Sequence, residues 1–347
     1  MGKNTERKES NEIKPKGIWI TVNRNCNMRC SWCYAKGSKY CGEMDINLAK
    51  KIAQITIDCG IKKIFIIGGE PTIWKHLFSF NRFCKEKGIK TTLVTNGLRF
   101  SDDIFWKDYK KNPNDSAGIS LKAFDEDSYK KITGVSNFKA VVTGLERGLK
   151  FFNCGISAVS SSSEPKELIK IANFSKSIGA NHLNIGFCTP IITKKGIISD
   201  FMASPGKIVS NLTSVYEEIN SLTEGKISFS MKLPLCIWPK EFIELLILRK
   251  QISTSCQLRS RSGLIFGLLG EVILCNTLFE YPVGKFGEDF FDANGLIKFL
   301  NNPSISNYYK RMGNYPSEKC ISCDSYPKCG GGCAMMWSVY KPAAIIK

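Results

Sequence analysis

The sequence predicts an α/β protein with a partial (β/α)6 TIM-like barrel over residues 16–230 and a cysteine-rich C-terminal domain over residues 231–347. Three observations support this prediction. Short apolar strands alternate six times with helical segments, glycine-rich or polar motifs follow the strands, and cysteines become frequent after residue 230. Alternating strands and helices form a parallel sheet with right-handed crossovers, and six strands are too few to close an eight-stranded barrel. The alternative, an open nucleotide-binding sheet, lacks a G-x-G-x-x-G loop after the first strand.

The six strands are predicted where apolar, β-branched runs end in turn residues. They are 17–22, 63–67, 91–95, 118–121, 156–160 and 183–187.

The helices are predicted from helical spacing of apolar residues and from capping signals. Asp45 is a good N-cap for the first helix, and Pro165 suits the first turn of a later one. The predicted helices are 46–58, 76–86, 137–152, 165–178 and 207–222. Between the last two, 190–206 is expected to be a loop, and beyond the barrel 264–275 is expected to form a β-hairpin around Gly270.

The composition and charge of the sequence limit the cellular location and the chemistry that we expect of the protein. Residues 1–15 are charged and aperiodic, which predicts a flexible arm, and neither a signal peptide nor a 20-residue apolar span is visible. We therefore expect a cytoplasmic protein without membrane contact. Fifteen cysteines in such a protein indicate metal or redox chemistry. The net charge of +18 is compatible with an acidic peptide partner, but the absence of a basic block argues against nucleic acid.

The most informative motif follows the first strand, where Cys26, Cys30 and Cys33 have the spacing C-x3-C-x2-C. A cubane iron–sulfur cluster has four irons, so three thiolates leave one iron free to bind a small chelating ligand. The alternatives are a zinc site, which more often uses two distant C-x2-C pairs, or buried free thiols.

The loop resembles that of the radical S-adenosylmethionine (radical SAM) superfamily. The resemblance implies that the open iron of a [4Fe–4S] cluster binds SAM, which is cleaved to methionine and a 5′-deoxyadenosyl radical. It also implies that the aromatic residue before the third cysteine, here Trp32, lies near the adenine. About 35 residues after Cys33, the segment Gly68-Gly69-Glu70-Pro71 follows the second strand. In the superfamily this segment contacts the SAM methionine amine.

Two further SAM-pocket residues are expected at the end of the fourth strand. Ser120 and Lys122 match positions where the superfamily often contacts the SAM ribose or carboxylate, although both also suit an ordinary strand end. Lys122-Ala123 stands where related proteins often have Asp-Gly, so this pocket is expected to differ in detail.

A second set of cysteines lies in the C-terminal region. The spacings are Cys256-x13-Gly270-x4-Cys275 and C-x2-C-x5-C-x3-C over Cys320, Cys323, Cys329 and Cys333. This pattern resembles the SPASM domain, an extension of radical SAM enzymes that holds two auxiliary [4Fe–4S] clusters. The resemblance implies that one cluster is ligated by Cys256, Cys275 and Cys333, and the other by Cys320, Cys323 and Cys329.

The pattern departs from SPASM domains at one position. Residues 334–347 contain no seventh cysteine, so the second auxiliary cluster is expected to have an open iron, another ligand or no stable cluster. Cys236 has two possible roles. It could complete the first auxiliary cluster, or it could be a buried thiol near Trp238. A zinc knuckle over 320–333 is the alternative to clusters.

The resemblance implies a maturase that abstracts hydrogen from a ribosomal precursor peptide to install a crosslink or another modification. Its partners would be the peptide or protein substrate, a reductant such as flavodoxin or ferredoxin, and a separate peptide-recognition protein, since only about 15 residues precede the first strand. The alternatives are a sulfatase-maturating (formylglycine-forming) enzyme and a non-catalytic metal-binding or electron-transfer protein. The sequence singles out neither a general base among Glu271, Asp289 and Asp292 nor a hydrogen donor between Cys41 and Cys188.

Overall fold

The computed structural model describes residues 13, 15–36, 41–161, 164–312 and 314–346. Most of the predicted arm at 1–15 lies outside these residues. Ile13 is described, and it is buried with its backbone N–H and C=O hydrogen-bonded to the side chain of Asn301. The described end of the arm is therefore attached to the protein core.

The predicted strand–helix alternation is confirmed, and the structure adds further elements. The strands are β1 Gly17–Thr21, β2 Lys63–Ile67, β3 Lys90–Thr95, β4 Ser116–Leu121, β5 Ile156–Ser160, β6 Leu183–Phe187, β7 Ile191–Thr193, β8 Gly196–Ile198, β9 Ile227–Ser230, β10 Ile252–Ser253, β11 Gly263–Phe266, β12 Glu271–Ile273 and β13 Gly284–Lys285.

The helices occupy the connections between these strands and parts of the C-terminal region. They are α1 Ile46–Asp58, α2 Leu77–Glu86, α3 Asp103–Tyr109, α4 Glu126–Thr133, α5 Phe138–Phe152, α6 Pro165–Ser177, α7 Pro205–Leu222, α8 Lys240–Leu248, α9 Gln257–Ser260, α10 Ala293–Leu300, α11 Pro303–Met312, α12 Tyr326–Cys329 and α13 Pro342–Ile345.

One sheet organises the described chain, with the order β10-β9-β6-β5-β4-β3-β2-β1-β11-β12-β13. The six predicted strands are its parallel centre. β9 adds to β6 on one side, and β11 pairs in parallel with β1 on the other. The predicted hairpin is confirmed as the antiparallel pair β11–β12. The sheet continues across residue 230, and the division into domains there stays a prediction.

Within the barrel, one prediction about local structure was wrong, and two helices, α3 and α4, were not predicted. The expected loop at 190–206 contains a small antiparallel hairpin, β7–β8. The helix α4 was missed, although Asp125 and Ser128 form a capping box at its start. By contrast, the predicted N-cap Asp45 accepts hydrogen bonds from the backbone N–H groups of Asn47 and Leu48. Such a cap stabilises a helix by about 1 kcal/mol.

The two faces of the sheet differ in composition. One face carries the fully buried side chains of Ile18, Ile20, Ile64, Ile66 and Ile119, which pack under the helices. Because side chains alternate along a strand, the intervening residues line the other face. These include Trp19 and Phe65, whose rings stack 4.3 Å apart. Among the described residues, no helix is long and apolar enough to cross a membrane.

Candidate active site and auxiliary cysteines

The three cysteines of the first motif lie on the loop between β1 and α1, at the carboxyl edge of the sheet. Cys26, Cys30 and Cys33 are each partly buried and free. Burial, and then the nearby Glu70 and the other two thiols, raises the pKa of Cys26 to about 12. Burial also raises the pKa of Cys30, and the ammonium of Lys122 opposes that rise. The loop therefore gathers three thiols beside Glu70 and Lys122.

Helix α4 holds this loop in place. The backbone N–H of Arg29 donates to the C=O of Thr133 at 2.7 Å, and that of Ser31 donates to the C=O of Ile132 at 2.9 Å. The last turn of a helix offers free carbonyl groups, and here the cysteine loop satisfies them. The sequence signal for this contact was the capping box that begins α4.

The Gly68-Gly69-Glu70-Pro71 turn is bonded directly to the cysteine loop. The N–H of Gly69 donates to the C=O of Asn23, and the N–H of Glu70 donates to the C=O of Asn25, both at 2.8 Å. A Cβ atom on Gly69 would lie 2.2 Å from the carbonyl oxygen of Asn25. The glycines were expected to let the backbone approach a ligand, and the structure shows that they let it approach the cysteine loop. Contact with SAM stays a prediction.

We expect Gly69→Ala to displace the cysteine loop, because no backbone shift of a few tenths of an ångström would relieve that contact. Overpacking of this kind costs about 1–3 kcal/mol. The variant should bind about four fewer irons per chain after reconstitution. Gly206→Ala is the matched control, since nothing lies within 4 Å of its added Cβ. Full iron binding by Gly69→Ala would show that the close approach is not required.

The buried carboxylate of Glu70 links several segments of the site by hydrogen bonds. Its side chain is 1% exposed. Its Oε1 accepts from Thr72 and from the hydroxyl of Thr95 at 2.7 Å, and its Oε2 accepts from the N–H of Asn96 at 2.8 Å. The amide of Asn96 in turn donates to Oδ1 of Asn27, in the cysteine loop. The carboxylate therefore ties the ends of β2 and β3 to the loop, and its expected contact with an ammonium group stays a prediction.

The donors around the cysteine loop fit an anionic cluster. Among the described residues, a few buried polar atoms have no hydrogen-bond partner, and these include Nδ2 of Asn27 and Nη1 of Arg24. Unpartnered buried donors are rare because each costs free energy. Asn27 lies next to the thiol of Cys26, so a thiolate or sulfide there would supply an acceptor for its amide. This fit supports a [4Fe–4S] cluster with SAM at Cys26, Cys30 and Cys33.

A cavity of about 620 Å³ opens beside the loop. Trp32 and Lys122 line it, together with residues that follow β4 and β5. Its volume is in the range of small-molecule sites. Ser120 is not among the lining residues and faces the opposite side of β4 from the buried Ile119 and Leu121. Trp32, Ser120 and Lys122 were the SAM-pocket residues predicted in addition to the glycine turn. Two of them, Trp32 and Lys122, line this one cavity.

The C-terminal cysteines form two separate groups. In the first, the thiols of Cys275 and Cys256 lie near that of Cys333, whose pKa is raised to about 11 by burial and then by these neighbours. In the second, burial and then the thiols of Cys329 and Cys323 raise the pKa of Cys320. The two groups have the membership that the resemblance implied, although their role as cluster ligands stays a prediction.

A run of three glycines separates the two groups. Gly330, Gly331 and Gly332 all have positive φ values, of 57°, 72° and 76°, which side-chain-bearing residues rarely adopt. The guanidinium of Arg259 lies against this turn and donates to the carbonyl oxygens of Cys329 and Gly332. The turn directs Cys329 to one group and Cys333 to the other.

An aromatic residue shortly after Cys275, which the sequence analysis did not single out, contacts the active-site loop. Phe279, four residues after Cys275, lies under the guanidinium of Arg24 at 4.8 Å and meets the ring of Tyr34 at 6.1 Å. Arg24 and Tyr34 both belong to the cysteine loop. An arginine paired with an aromatic ring is a recognisable contact only once the fold is known.

The candidate acid–base residues have local structural roles. Glu271 accepts from the N–H of Leu269, Asp289 accepts from that of Lys285, and Asp292 caps α10. The candidate hydrogen donors differ in exposure, since Cys188 is buried and Cys41 is exposed. In the described part of the chain, no three histidine, cysteine, aspartate or glutamate side chains converge on a site for a single metal ion.

Comparison with known proteins identifies the N-terminal part of the sheet. Residues 20–187 match the family described as "Radical SAM superfamily". A relative named "Probable GTP 3′,8-cyclase" from Thermococcus kodakarensis is 28% identical over 136 residues, which are 39% of this chain and 44% of the relative. One of the same name from Pyrococcus abyssi is 32% identical over 135 residues, which are 38% and 43%. The chain thus spans about half the length of the curated relatives it matches.

Solved structures share the fold over nearly the whole chain. Streptococcus suis SuiB bound to precursor peptide SuiA has a TM-score of 0.70 at 17% identity, covering 95% of this chain and 74% of SuiB. Native anSMEcpe with bound AdoMet and a Cp18Cys peptide has a TM-score of 0.67 at 19% identity, covering 92% and 89%. With the family match and the three-cysteine loop, the conclusion is that this chain carries, over residues 20–187, the domain of a radical SAM superfamily enzyme.

Proposed function

We propose that the protein is a radical SAM/SPASM maturase that abstracts hydrogen from a ribosomally made peptide to install a crosslink or a related modification. The observation that carries this proposal is the position of the first auxiliary cysteine group. Phe279, four residues after Cys275 of this group, contacts Arg24 and Tyr34 of the active-site loop. A redox centre held by this group would serve as the electron acceptor for the substrate radical.

The residues of the active site would have different roles. Cys26, Cys30 and Cys33 would hold a [4Fe–4S] cluster, and the cavity with Trp32 and Lys122 would hold SAM and the reacting part of the substrate. When bound, this pair of cofactors supplies reductive cleavage of SAM to a hydrogen-abstracting 5′-deoxyadenosyl radical. The protein's own part is to orient both molecules, to exclude water and to keep the thiols at fixed positions.

The auxiliary cysteines favour bond formation in the substrate. A substrate radical that closes a new bond must lose one electron to reach a closed shell. Cys256, Cys275 and Cys333 would hold a cluster able to accept that electron. A soluble reductant such as flavodoxin or ferredoxin would supply the electron that starts each turnover. A separate protein, an edge of the barrel or the basic surface would recognise the peptide leader.

The extent of the similarities favours a peptide over a nucleotide substrate. The relatives named as GTP 3′,8-cyclases match only 38–48% of this chain. The fold of SuiB and anSMEcpe, which are named with peptides, extends over 92–95% of it and therefore includes the cysteine-rich region. Formylglycine formation in a sulfatase is the second peptide reaction to test.

The test is a substrate-dependent assay on the anaerobically reconstituted protein with SAM and dithionite. Three additions are compared: short peptides encoded beside its gene, a sulfatase peptide containing the modified cysteine, and GTP. We expect 5′-deoxyadenosine formation to rise at least about tenfold, or 1.4 kcal/mol in barrier, with an encoded peptide, which should lose two hydrogens by mass spectrometry.

The other outcomes each contradict the proposal in a different way. Turnover of GTP to a cyclised nucleotide would make the protein a cyclase. Conversion of the sulfatase cysteine to formylglycine would make it a sulfatase-maturating enzyme. No SAM cleavage by a protein loaded with iron under any condition would support a non-catalytic metal-binding or electron-transfer protein.

A further inference from the structure

The segment 232–238, which precedes α8, packs against the glycine turn that separates the two auxiliary cysteine groups. The N–H of Cys333 donates to the C=O of Lys232 at 2.8 Å. A Cβ on Gly332 would lie 3.0 Å from the backbone nitrogen of Pro234. The segment is therefore held in close backbone contact with the chain that carries Cys329 and Cys333.

The contact extends to a sulfur atom of the second auxiliary group. The backbone N–H of Leu235 donates to Sγ of Cys329 at 3.2 Å, and this hydrogen bond is buried. N–H···S bonds of this kind surround the thiolate ligands of iron–sulfur clusters and tune their potentials. Cys236 is the next residue and lies within the short 3-10 turn Leu235–Ile237.

The thiol of Cys236 lies near the thiols of the second auxiliary group. After burial, the charges that raise its pKa are those of Cys329, Cys320 and Cys323. Cys275 and Cys333, in the first group, are instead influenced by one another and by Cys256. From the sequence, Cys236 could either ligate the first auxiliary cluster or be a buried thiol. Its side chain is exposed, and its sulfur neighbours belong to the second group.

We propose that Cys236 is the fourth protein ligand of a [4Fe–4S] cluster held by Cys320, Cys323 and Cys329. The proposal rests on the auxiliary-cluster part of the proposed function. The four thiols would each lose a proton and bind one of the four irons.

The first test uses the unmodified full-length protein and reads thiol accessibility instead of activity. The protein is treated with iodoacetamide before and after anaerobic loading with iron and sulfide, and alkylation is mapped by mass spectrometry. We expect loading to slow alkylation of Cys236 and Cys323 together, at least about tenfold, because a thiolate bound to iron is not a free nucleophile. Cys154, a partly buried thiol outside the three groups, should react equally in both states.

The results separate this inference from the proposed function. Protection of Cys323 with continued alkylation of Cys236 would overturn the ligand assignment and leave the auxiliary cluster standing. No protection of either residue in iron-loaded protein would overturn the auxiliary cluster as well. Protection of Cys236 together with Cys256 and Cys275, but not Cys323, would return it to the first auxiliary cluster.

The second test adds substitutions in a background lacking the N-terminal cluster, Cys26→Ala/Cys30→Ala/Cys33→Ala. That background should hold about eight irons per chain. Adding Cys236→Ala should lower the iron content and, on oxidation, give the electron paramagnetic resonance signal of a three-iron cluster. Adding Cys154→Ala should change neither. The inference would be overturned if the Cys236→Ala protein kept its iron content and gave no three-iron signal. In that case the matching Cys329→Ala protein should still lose iron.

Discussion

Cys30→Ala should abolish SAM cleavage while leaving the protein folded. Cys30 is one of three thiols on a short loop whose backbone is held by α4 and by the glycine turn. With two thiolates instead of three, the loop should not retain its cluster. We expect 5′-deoxyadenosine formation to fall at least about a thousandfold, which corresponds to about 4 kcal/mol of lost transition-state stabilisation.

The measurement is 5′-deoxyadenosine release from reconstituted protein with SAM and dithionite, with iron content determined on the same sample. The control is Cys154→Ala, which alters a partly buried thiol at the end of α5. SAM cleavage at the unmodified rate by the Cys30→Ala protein would contradict the assignment of the catalytic cluster to this loop.

Cys333→Ala should separate SAM cleavage from product formation. Cys333 belongs to the first auxiliary group, and Phe279, four residues after Cys275 of that group, contacts the active-site loop. Without an electron acceptor there, the substrate radical formed by hydrogen abstraction cannot reach a closed shell with its new bond. We expect SAM cleavage to stay within about threefold of the unmodified protein and crosslinked peptide to fall at least about a hundredfold, or 2.7 kcal/mol.

The two products are measured in one reaction, 5′-deoxyadenosine by chromatography and modified peptide by mass spectrometry. Because loss of a core cysteine could unfold the C-terminal region, Cys323→Ala is the comparison within the other auxiliary group. Full crosslinking by Cys333→Ala protein that has lost about four irons would show that the first auxiliary cluster is not the acceptor.

Much of the barrel could be predicted because its signals are local. Each of the strands β1 to β6 is an apolar run bounded by turn residues, and the helices between them carry apolar residues at helical spacing. The strands β9 and β10 could not be predicted in the same way. They are only four and two residues long, and the β6–β9 and β9–β10 pairings define them.

Some features of the site could likewise be predicted from local sequence, whereas others depend on contacts between distant segments. The cysteine spacings indicate which thiols share a group, since Cys26, Cys30 and Cys33 must lie together on one loop. The inward direction of the Glu70 carboxylate depends on Thr95 and Asn96, about 25 residues away. The position of Cys236 depends on the hydrogen bond between the neighbouring Leu235 and Cys329, which lie 94 residues apart. Such contacts follow from how the sheet brings segments together, which spacing alone does not reveal.

The most direct test of the account is the iron, sulfide and zinc content of the anaerobically reconstituted protein, compared with the Cys26→Ala/Cys30→Ala/Cys33→Ala variant. One SAM-binding cluster and two auxiliary clusters predict about twelve irons per chain, about eight in the variant, and no zinc. About four irons in the unmodified protein, lost completely in the variant while zinc is retained, would contradict the account. The C-terminal cysteines would then be a structural zinc site, and the auxiliary electron acceptor would not exist.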